Sequence, residues 1–198
     1  MKIIYFLIPL VIFIGCSGDK ENPITPIEKS LILPLNIGNQ WLGRAERIGN
    51  NGEIISTSYL GISVVGDITV DSSKLSILQM ENGQQFSCLN TDSGFVYKIN
   101  GTNYLQFKYP GLVGDRFSIS GNAYREIIST DTLISTIYGK YNCYHYSLQI
   151  YDNNFHTEQY LSPNYGFIYS EHYQTDGPTP QIFLYSRITF NPILVNQK

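Results

Sequence analysis

The sequence contains little charge, few cysteines and none of the common catalytic motifs. Only 15% of its 198 residues are charged, the formal net charge is −3, and there are three cysteines and one tryptophan. Such a chain, without basic clusters, is not expected to bind nucleic acid. It also lacks the nucleophile elbow, the dinucleotide- and phosphate-binding loops and the paired-histidine zinc motif. We therefore predict a protein without catalytic activity, cofactor or metal.

Long apolar runs are absent apart from one at the N-terminus. Lys2 precedes an apolar run, residues 3–14, that is interrupted only by Pro9 and ends at Gly15-Cys16. A positive charge, an apolar stretch and a small residue in this order predict a secretory signal peptide, residues 1–15, which forms a signal helix. The run is too short for a permanent membrane span, which needs about 20 apolar residues.

The end of this segment carries a recognisable cleavage motif. Residues Phe13-Ile14-Gly15-Cys16 resemble the lipobox of bacterial lipoproteins, with Phe13 where Leu is usual. The resemblance implies that Cys16 is lipidated and holds the mature protein on a membrane. Two or more acyl chains anchor stably, because each buried CH₂ contributes about 0.8 kcal/mol. Ser17 follows the cysteine, where Asp would favour retention in the inner membrane, so the resemblance implies the outer membrane, on its periplasmic or surface face.

The rest of the chain is predicted to be one domain on a tether. Residues 16–30 contain Pro23 and Pro26 and show no apolar periodicity, which indicates a flexible tether. Residues 31–198 are enough to bury the core of a single domain. Two cysteines remain there, Cys88 and Cys143. They either form a disulfide or are separate buried thiols, and the sequence leaves both alternatives open.

From Gln40 onward the pattern is that of an all-β protein. Short runs rich in Tyr, Ile, Val, Thr and Phe alternate with turn residues at intervals of roughly 8 to 12 residues. Asn51-Gly52, Asn82-Gly83 and Asn100-Gly101 are typical of tight hairpin turns, which need positive φ. The result is an antiparallel meander of about ten or more strands. Open sheets rarely exceed about ten strands, so we expect this one to curl into a barrel, half-barrel or sandwich.

Tyrosine is abundant, with 16 in the chain. Strand alternation places Tyr144 and Tyr146 on one face, and Phe167, Tyr169 and Tyr173 together on the face of a later strand. A tyrosine ring has an apolar body and a polar hydroxyl, so the four tyrosines are candidate ligand-facing residues. The alternative is that they are ordinary residues of a half-exposed sheet.

One pair of residues could carry chemistry. His156 and Glu158 stand two apart on one predicted strand face, an arrangement suited to acid–base work or metal binding. Local spacing supplies no further zinc ligand, so the simpler interpretation is a surface pair worth under about 1 kcal/mol. A hydrolase built on His156, Glu158 or Glu171 would require these groups to converge in a pocket.

Three segments resemble a family of β-rich bacterial lipoproteins. They are the Gly-Asn-x-Trp opening in Leu33–Trp41, the Gly-x-aromatic segment in Gly139–Tyr144 and the Tyr-x-x-Pro-x-x-Gly-x-Ile segment in Tyr160–Ile168. That family has no assigned activity, so the resemblance implies an architecture and an envelope location rather than a reaction. Three functions stay open: non-catalytic binding of an apolar ligand, a structural or protein-interaction role in an envelope complex, and hydrolysis.

Overall fold

The computed structural model describes residues 30–150, 155–176 and 181–195. The predicted signal peptide, Cys16 and the tether up to residue 29 lie outside these ranges. Within them every regular element is a strand, and none is a helix that could span a membrane. The strands are β1 (Gln40–Ile48), β2 (Ile54–Val70), β3 (Ser73–Met80), β4 (Gln85–Thr91), β5 (Gly94–Ile99), β6 (Thr102–Lys108), β7 (Arg116–Ser120), β8 (Ala123–Thr136), β9 (Gly139–Ile150), β10 (Phe155–Ser162), β11 (Gly166–Asp176) and β12 (Gln181–Ile193).

All twelve strands belong to one antiparallel sheet. Their order is β6-β5-β4-β3-β2-β1-β12-β11-β10-β9-β8-β7. Strands that are consecutive in sequence therefore pair, except β6 and β7, and the first strand also pairs with the last. The two edges, β6 and β7, come into contact, so the sheet is a nearly closed barrel. The all-β meander is confirmed, and of the three predicted ways to curl, the chain adopts the barrel.

The predicted Asn-Gly turns are hairpins in the structure. Gly52, Gly83 and Gly101 join β1 to β2, β3 to β4 and β5 to β6, with φ of 82°, 84° and 81°. Asn100 also has a positive φ, of 50°. The consecutive positive φ values of Asn100-Gly101 match the right-handed twist of the flanking strands. In the other two turns the glycine alone takes the positive φ.

The N-terminal segment plugs the end of the barrel at which β1 begins. Ile32 and Leu33 are buried in the interior core together with Trp41. The Asn39 side chain ties this segment to the end of the chain, because its Nδ2 donates to the Pro34 carbonyl at 3.1 Å and its Oδ1 accepts from the Val195 amide at 2.8 Å. Gly-Asn-x-Trp is therefore a structural motif.

The Pro-x-x-Gly turn between β10 and β11 closes over the same plug. Trp41 Nε1 donates to the Tyr165 carbonyl at 2.6 Å. Gly166 has a φ of 79°, and a Cβ there would lie 2.5 Å from Leu33 and 2.7 Å from the Trp41 ring. Only glycine satisfies both constraints. Two of the three sequence segments that carried the family resemblance thus meet at one end of the barrel.

Interior side chains cover the seam between the edge strands. Arg125 of β8 donates to the Gln106 carbonyl of β6, and the Tyr146 hydroxyl of β9 donates to the Lys108 carbonyl at 2.9 Å. Arg125 also donates to Gln159 at 2.8 Å, and its guanidinium lies 4.1 Å from the centre of the Phe107 ring. Burial lowers the pKa of Arg125 to about 10. These side chains satisfy backbone acceptors of an edge strand that would otherwise invite pairing with another chain.

Candidate functional site

Glu158 of β10 is the centre of a polar cluster on the outer wall. His145 Nε2 lies 2.6 Å and His156 Nε2 3.0 Å from its carboxylate oxygens, and Ser147 donates to it at 2.9 Å. The structure thus places His156 beside Glu158, as their spacing predicts. His145 and Ser147 come from β9, whose register with β10 puts them on the same face. Sequence reasoning missed these two, because no local pattern reveals the register.

A second carboxylate stands directly across from the first. Glu171 of β11 pairs with Glu158 in the register of the two strands. Its oxygens accept hydrogen bonds from the Tyr169 and Tyr173 hydroxyls at 2.9 and 2.8 Å. The His156 ring stacks on Tyr173 with centroids 4.6 Å apart. We call the group the His–Glu cluster; its members are His145, Ser147, His156, Glu158, Tyr160, Tyr169, Glu171 and Tyr173.

The charges of this cluster at neutral pH follow from its contacts. Burial raises the pKa of the Glu158 carboxyl, but the hydrogen bonds from His145 and Ser147 and the nearby histidines outweigh burial, and the net pKa lies below its ordinary value. Burial and the Glu171 carboxylate raise the pKa of the Tyr169 and Tyr173 hydroxyls. Glu158 is therefore ionised and the tyrosines are neutral donors. All four carboxylate oxygens already accept hydrogen bonds.

Replacing Glu158 with Gln should lower the free energy of unfolding at pH 7 by about 1 kcal/mol, because an amide is a weaker acceptor for His145 and Ser147 in this partly exposed site. The folded-state pKa of Glu158 lies below the unfolded one, so its contribution is complete above about pH 4.5 and is lost as pH falls through the folded pKa. Urea denaturation from pH 3 to 8 checks this. Wild type should approach the variant at low pH, with exposed Glu53→Gln as control; a constant difference would contradict the prediction.

A groove of about 510 Å³ lies on another part of the outer wall. It runs where β1, β2 and β3 pass beneath the tip of the β8–β9 hairpin, and apolar side chains of Leu42, Tyr59 and Tyr138 help to line it. Leu42 and Tyr59 are 44% and 73% exposed. Small-ligand sites usually enclose about 300 to 1,000 Å³. We call this feature the outer groove.

Gly61 leaves an opening in the floor of the outer groove. It lies opposite Leu42 in the β1–β2 register. A Cβ at this position would meet only the Leu42 side chain, at 3.7 Å, and the backbone is not in the left-handed region. The glycine thus contributes space rather than a turn. Sequence reasoning missed the groove, because it depends on strand register and on the hairpin folding against the wall.

A second pocket, of about 520 Å³, lies on the other side of the hairpin. Arg44, Glu46, Arg187 and Tyr169 are among the residues that line it. Arg187 Nε donates to Glu46 at 2.5 Å and Arg44 pairs with the same carboxylate at 2.7 Å. This pocket adjoins the His–Glu cluster through Tyr169. Its lining combines these ion pairs with apolar side chains of the β8–β9 hairpin, among them Leu133 and Ile137.

The four candidate ligand-facing tyrosines point in two directions. Tyr146 is fully buried in the interior core, and Tyr144 packs against that core. Tyr169 and Tyr173 lie on the outer wall, with both hydroxyls held by Glu171. The interior is filled by side chains that include Trp41, Phe95, Phe107 and Tyr146. Space for a ligand is found on the outer wall instead.

The prediction that Phe167 shares a face with Tyr169 is wrong. A β-bulge shifts the β10–β11 register between Tyr160 and Leu161. Phe167 consequently turns inward, where its ring contacts Trp41 with centroids 6.0 Å apart. An extra residue reverses the alternation of a strand. The sequence around Phe167 contains no pattern that predicts this bulge.

The remaining candidates for chemistry are two separate thiols. Cys88 and Cys143 are both free and buried. Cys88 belongs to the interior core, whereas Cys143 alternates with Tyr144 on β9 and so lies on the opposite face. Burial raises the pKa of each thiol to about 12, so neither is a thiolate at neutral pH. Among the described residues, no group of three or more His, Cys, Asp or Glu could hold a metal ion.

Comparison with known proteins bears on the fold. No family model and no curated protein matches the sequence. A solved structure from Bacteroides fragilis NCTC 9343, described as an exported protein with a YmcC-like fold, is 16% identical with a TM-score of 0.50, over 82% of this chain and 98% of that chain. A second, described as a lipoprotein of Parabacteroides distasonis ATCC 8503, is 14% identical with a TM-score of 0.42, over the same shares. The likeness to the first shows a shared fold, the YmcC-like barrel.

Proposed function

We propose that the protein is a lipid-anchored lipoprotein of the cell envelope that binds an apolar ligand in the outer groove without catalysing a reaction. The observation that carries this proposal is the groove itself, with exposed Leu42 and Tyr59 at its sides and Gly61 in its floor. Covering apolar surface contributes about 25 cal/mol per Å² removed from water. A ligand with an apolar body gains most where such side chains are already exposed and positioned.

Ligand binding in the outer groove is tested by placing a large side chain at Gly61 in its floor. Gly61→Phe should weaken binding of the apolar fluorescent probe N-phenyl-1-naphthylamine at least about tenfold, because the ring occupies the ligand's volume. Fluorescence titration of the mature chain carrying Cys16→Ser avoids detergent. Gly66→Phe is the matched control, since it makes the same change on the same strand where a Cβ meets nothing within 4 Å. Equal affinity of the Gly61→Phe variant and its parent would rule out the groove as the site.

The anchor is tested separately at Cys16. Wild-type protein should fractionate with membranes and yield a diacylated N-terminal peptide by mass spectrometry, because two or more acyl chains give stable attachment. Cys16→Ser should release the protein into the soluble fraction. Separation of inner and outer membranes then tests the proposed outer-membrane location. Membrane attachment that survives Cys16→Ser would refute the lipid anchor.

A protein-interaction role is the second candidate, and the β8–β9 hairpin favours it. Leu133 and Ile137 on this hairpin are 60% and 76% exposed. Exposed apolar side chains grouped on one element are typical of contact surfaces. Site-specific crosslinking from Ile137 in intact cells would capture a partner under this alternative. A crosslinked partner together with unchanged probe binding in Gly61→Phe would favour interaction over ligand binding.

Hydrolysis ranks third. The structure brings His156, Glu158 and Glu171 together, as a hydrolase would need, but each carboxylate oxygen already accepts a hydrogen bond. A general base or nucleophile must be able to reach substrate. We therefore expect no turnover of nitrophenyl esters or glycosides by the purified protein. Turnover that disappears in Glu158→Gln would reverse this ranking.

A further inference from the structure

The chain enters the barrel at a defined place. The Leu31 amide donates to the Asn164 side chain at 3.0 Å, and the Asn164 amide donates back to the Leu31 carbonyl at 2.6 Å. With Ile32 and Leu33 buried just beyond, this holds Ser30 beside the β10–β11 turn. We call this the tether end. Because neighbouring strands are antiparallel, the β6–β7 loop and the end of β12 lie there too.

Apolar side chains are exposed in the loops of the tether end. Leu112 and Val113 in the β6–β7 loop are 75% and 63% exposed, and Ile37 before β1 is 56% exposed. Tyr165 in the β10–β11 turn and Val195 after β12 are also exposed. Lys108 and Asp115 flank the β6–β7 loop and pair with each other at 2.9 Å. This loop therefore presents two large apolar side chains with its flanking charges paired.

The turns at the opposite end of the barrel, unlike the loops of the tether end, carry no exposed large apolar side chains among the described residues. The described turns of the opposite end consist of Gly49–Glu53, Glu81–Gln84, Asn100-Gly101 and Gly121-Asn122, which are polar or glycine. Five apolar side chains are exposed near this end, but each belongs to a strand rather than to a turn: Ile54, Ile55, Ile99, Ile150 and Phe155. At the tether end, the polar turns Asp71-Ser72 and Asp92-Ser93 belong to the β2–β5 side of the barrel. The exposed apolar loops occupy the remaining, contiguous side, from β6 and β7 round to β12 and β1.

We propose that the tether end is a membrane-contacting surface, on which Leu112 and Val113 enter the interfacial region of the lipid bilayer. The inference rests on the proposed lipid anchor at Cys16. Residues 16–29 can span at most about 50 Å when extended, so a lipid on Cys16 keeps this end close to the bilayer. Contact is then intramolecular in effect, and even a small apolar surface can be engaged at high local concentration. The outer groove, on the side wall, stays accessible to ligand.

The test measures which end of the barrel meets lipid. The lipidated mature protein is reconstituted in phosphatidylcholine vesicles with and without dibrominated phosphatidylcholine, which quenches tryptophan at the interface. Wild type supplies the background, because its single tryptophan, Trp41, is fully buried. Val113→Trp should be quenched at least about twofold more than Asn122→Trp, an exposed position at the opposite end, since interfacial insertion reaches only about 5–10 Å. Circular dichroism confirms that both variants are folded.

The results distinguish contact of the tether end with the bilayer from anchoring by the lipid on Cys16. Equal quenching of the two variants, or stronger quenching of Asn122→Trp, would overturn the proposed surface even where Cys16 is lipidated. The same pair is then measured in the Cys16→Ser background. Strong quenching of Val113→Trp there would support the surface and refute the lipid as the sole attachment. Loss of all vesicle binding in that background, together with selective quenching in the lipidated protein, is the expected outcome.

Discussion

Trp41→Ala should lower the free energy of unfolding by about 3–5 kcal/mol, the range for large aromatic residues removed from a core. Trp41 is completely buried, with a relative exposure of 0%. Its ring meets Phe167 edge-on and its Nε1 donates to the Tyr165 carbonyl. Alanine would leave a cavity beneath Gly166 and an unpaired carbonyl in the β10–β11 turn. Guanidinium denaturation followed by far-ultraviolet circular dichroism measures the loss.

Trp41→Phe is the matched variant. It keeps an aromatic ring in the plug but loses the hydrogen bond to Tyr165, so a smaller loss of about 1–2 kcal/mol is expected. A midpoint for Trp41→Ala within error of wild type would mean that the plug does not stabilise the barrel. A loss for Trp41→Phe equal to that for Trp41→Ala would instead place the whole effect in the hydrogen bond.

Arg125→Ala should destabilise the protein by about 3 kcal/mol and loosen the barrel seam first. The variant loses the packing of a long side chain over Phe107 and leaves the Gln106 carbonyl and the Gln159 side chain without this donor. Lost burial, a cavity and unpaired acceptors act in the same direction. Because Gln106 lies on edge strand β6, amide hydrogen exchange should accelerate on β6 more than on β1, which has a strand partner on both sides.

Arg116→Ala is the control for this effect. Arg116 is an exposed arginine on the neighbouring strand β7, with its guanidinium 3.4 Å from the centre of the Tyr124 ring. A cation–π contact at an exposed site contributes about 0.5–1 kcal/mol. Similar losses in the two variants, or uniform acceleration of exchange across the sheet, would show that Arg125 has no special role at the seam.

Turn chemistry and alternation were sufficient to predict an all-β meander. Asn51-Gly52, Asn82-Gly83 and Asn100-Gly101 each form the hairpin expected, because the backbone conformation of such turns is a local property. Curling of the meander also followed from the number of strands. A barrel rather than a sandwich required the pairing of β1 with β12, which joins residues at opposite ends of the chain.

The site depended on information that no local window contains. His156 and Glu158 are two residues apart, so their contact could be predicted from one strand. His145 and Glu171 reach the same cluster only through the registers of β9 and β11 with β10. The bulge before Leu161 turned Phe167 into the core, against the expected alternation. Gly61 is part of the outer groove only because the β8–β9 hairpin lies against the wall.

By itself, the sequence determined the all-β meander and its hairpin turns, because each depends on residues adjacent along the chain. It also predicts the lipid anchor at Cys16, which lies outside the described residues. Only the tertiary structure decided that Tyr146 lies in a filled interior, that Cys88 and Cys143 are separate thiols on opposite faces, and that open space lies outside the barrel. These features depend on strand register and closure. A shift of one residue in the register exchanges the inner and outer faces of a strand.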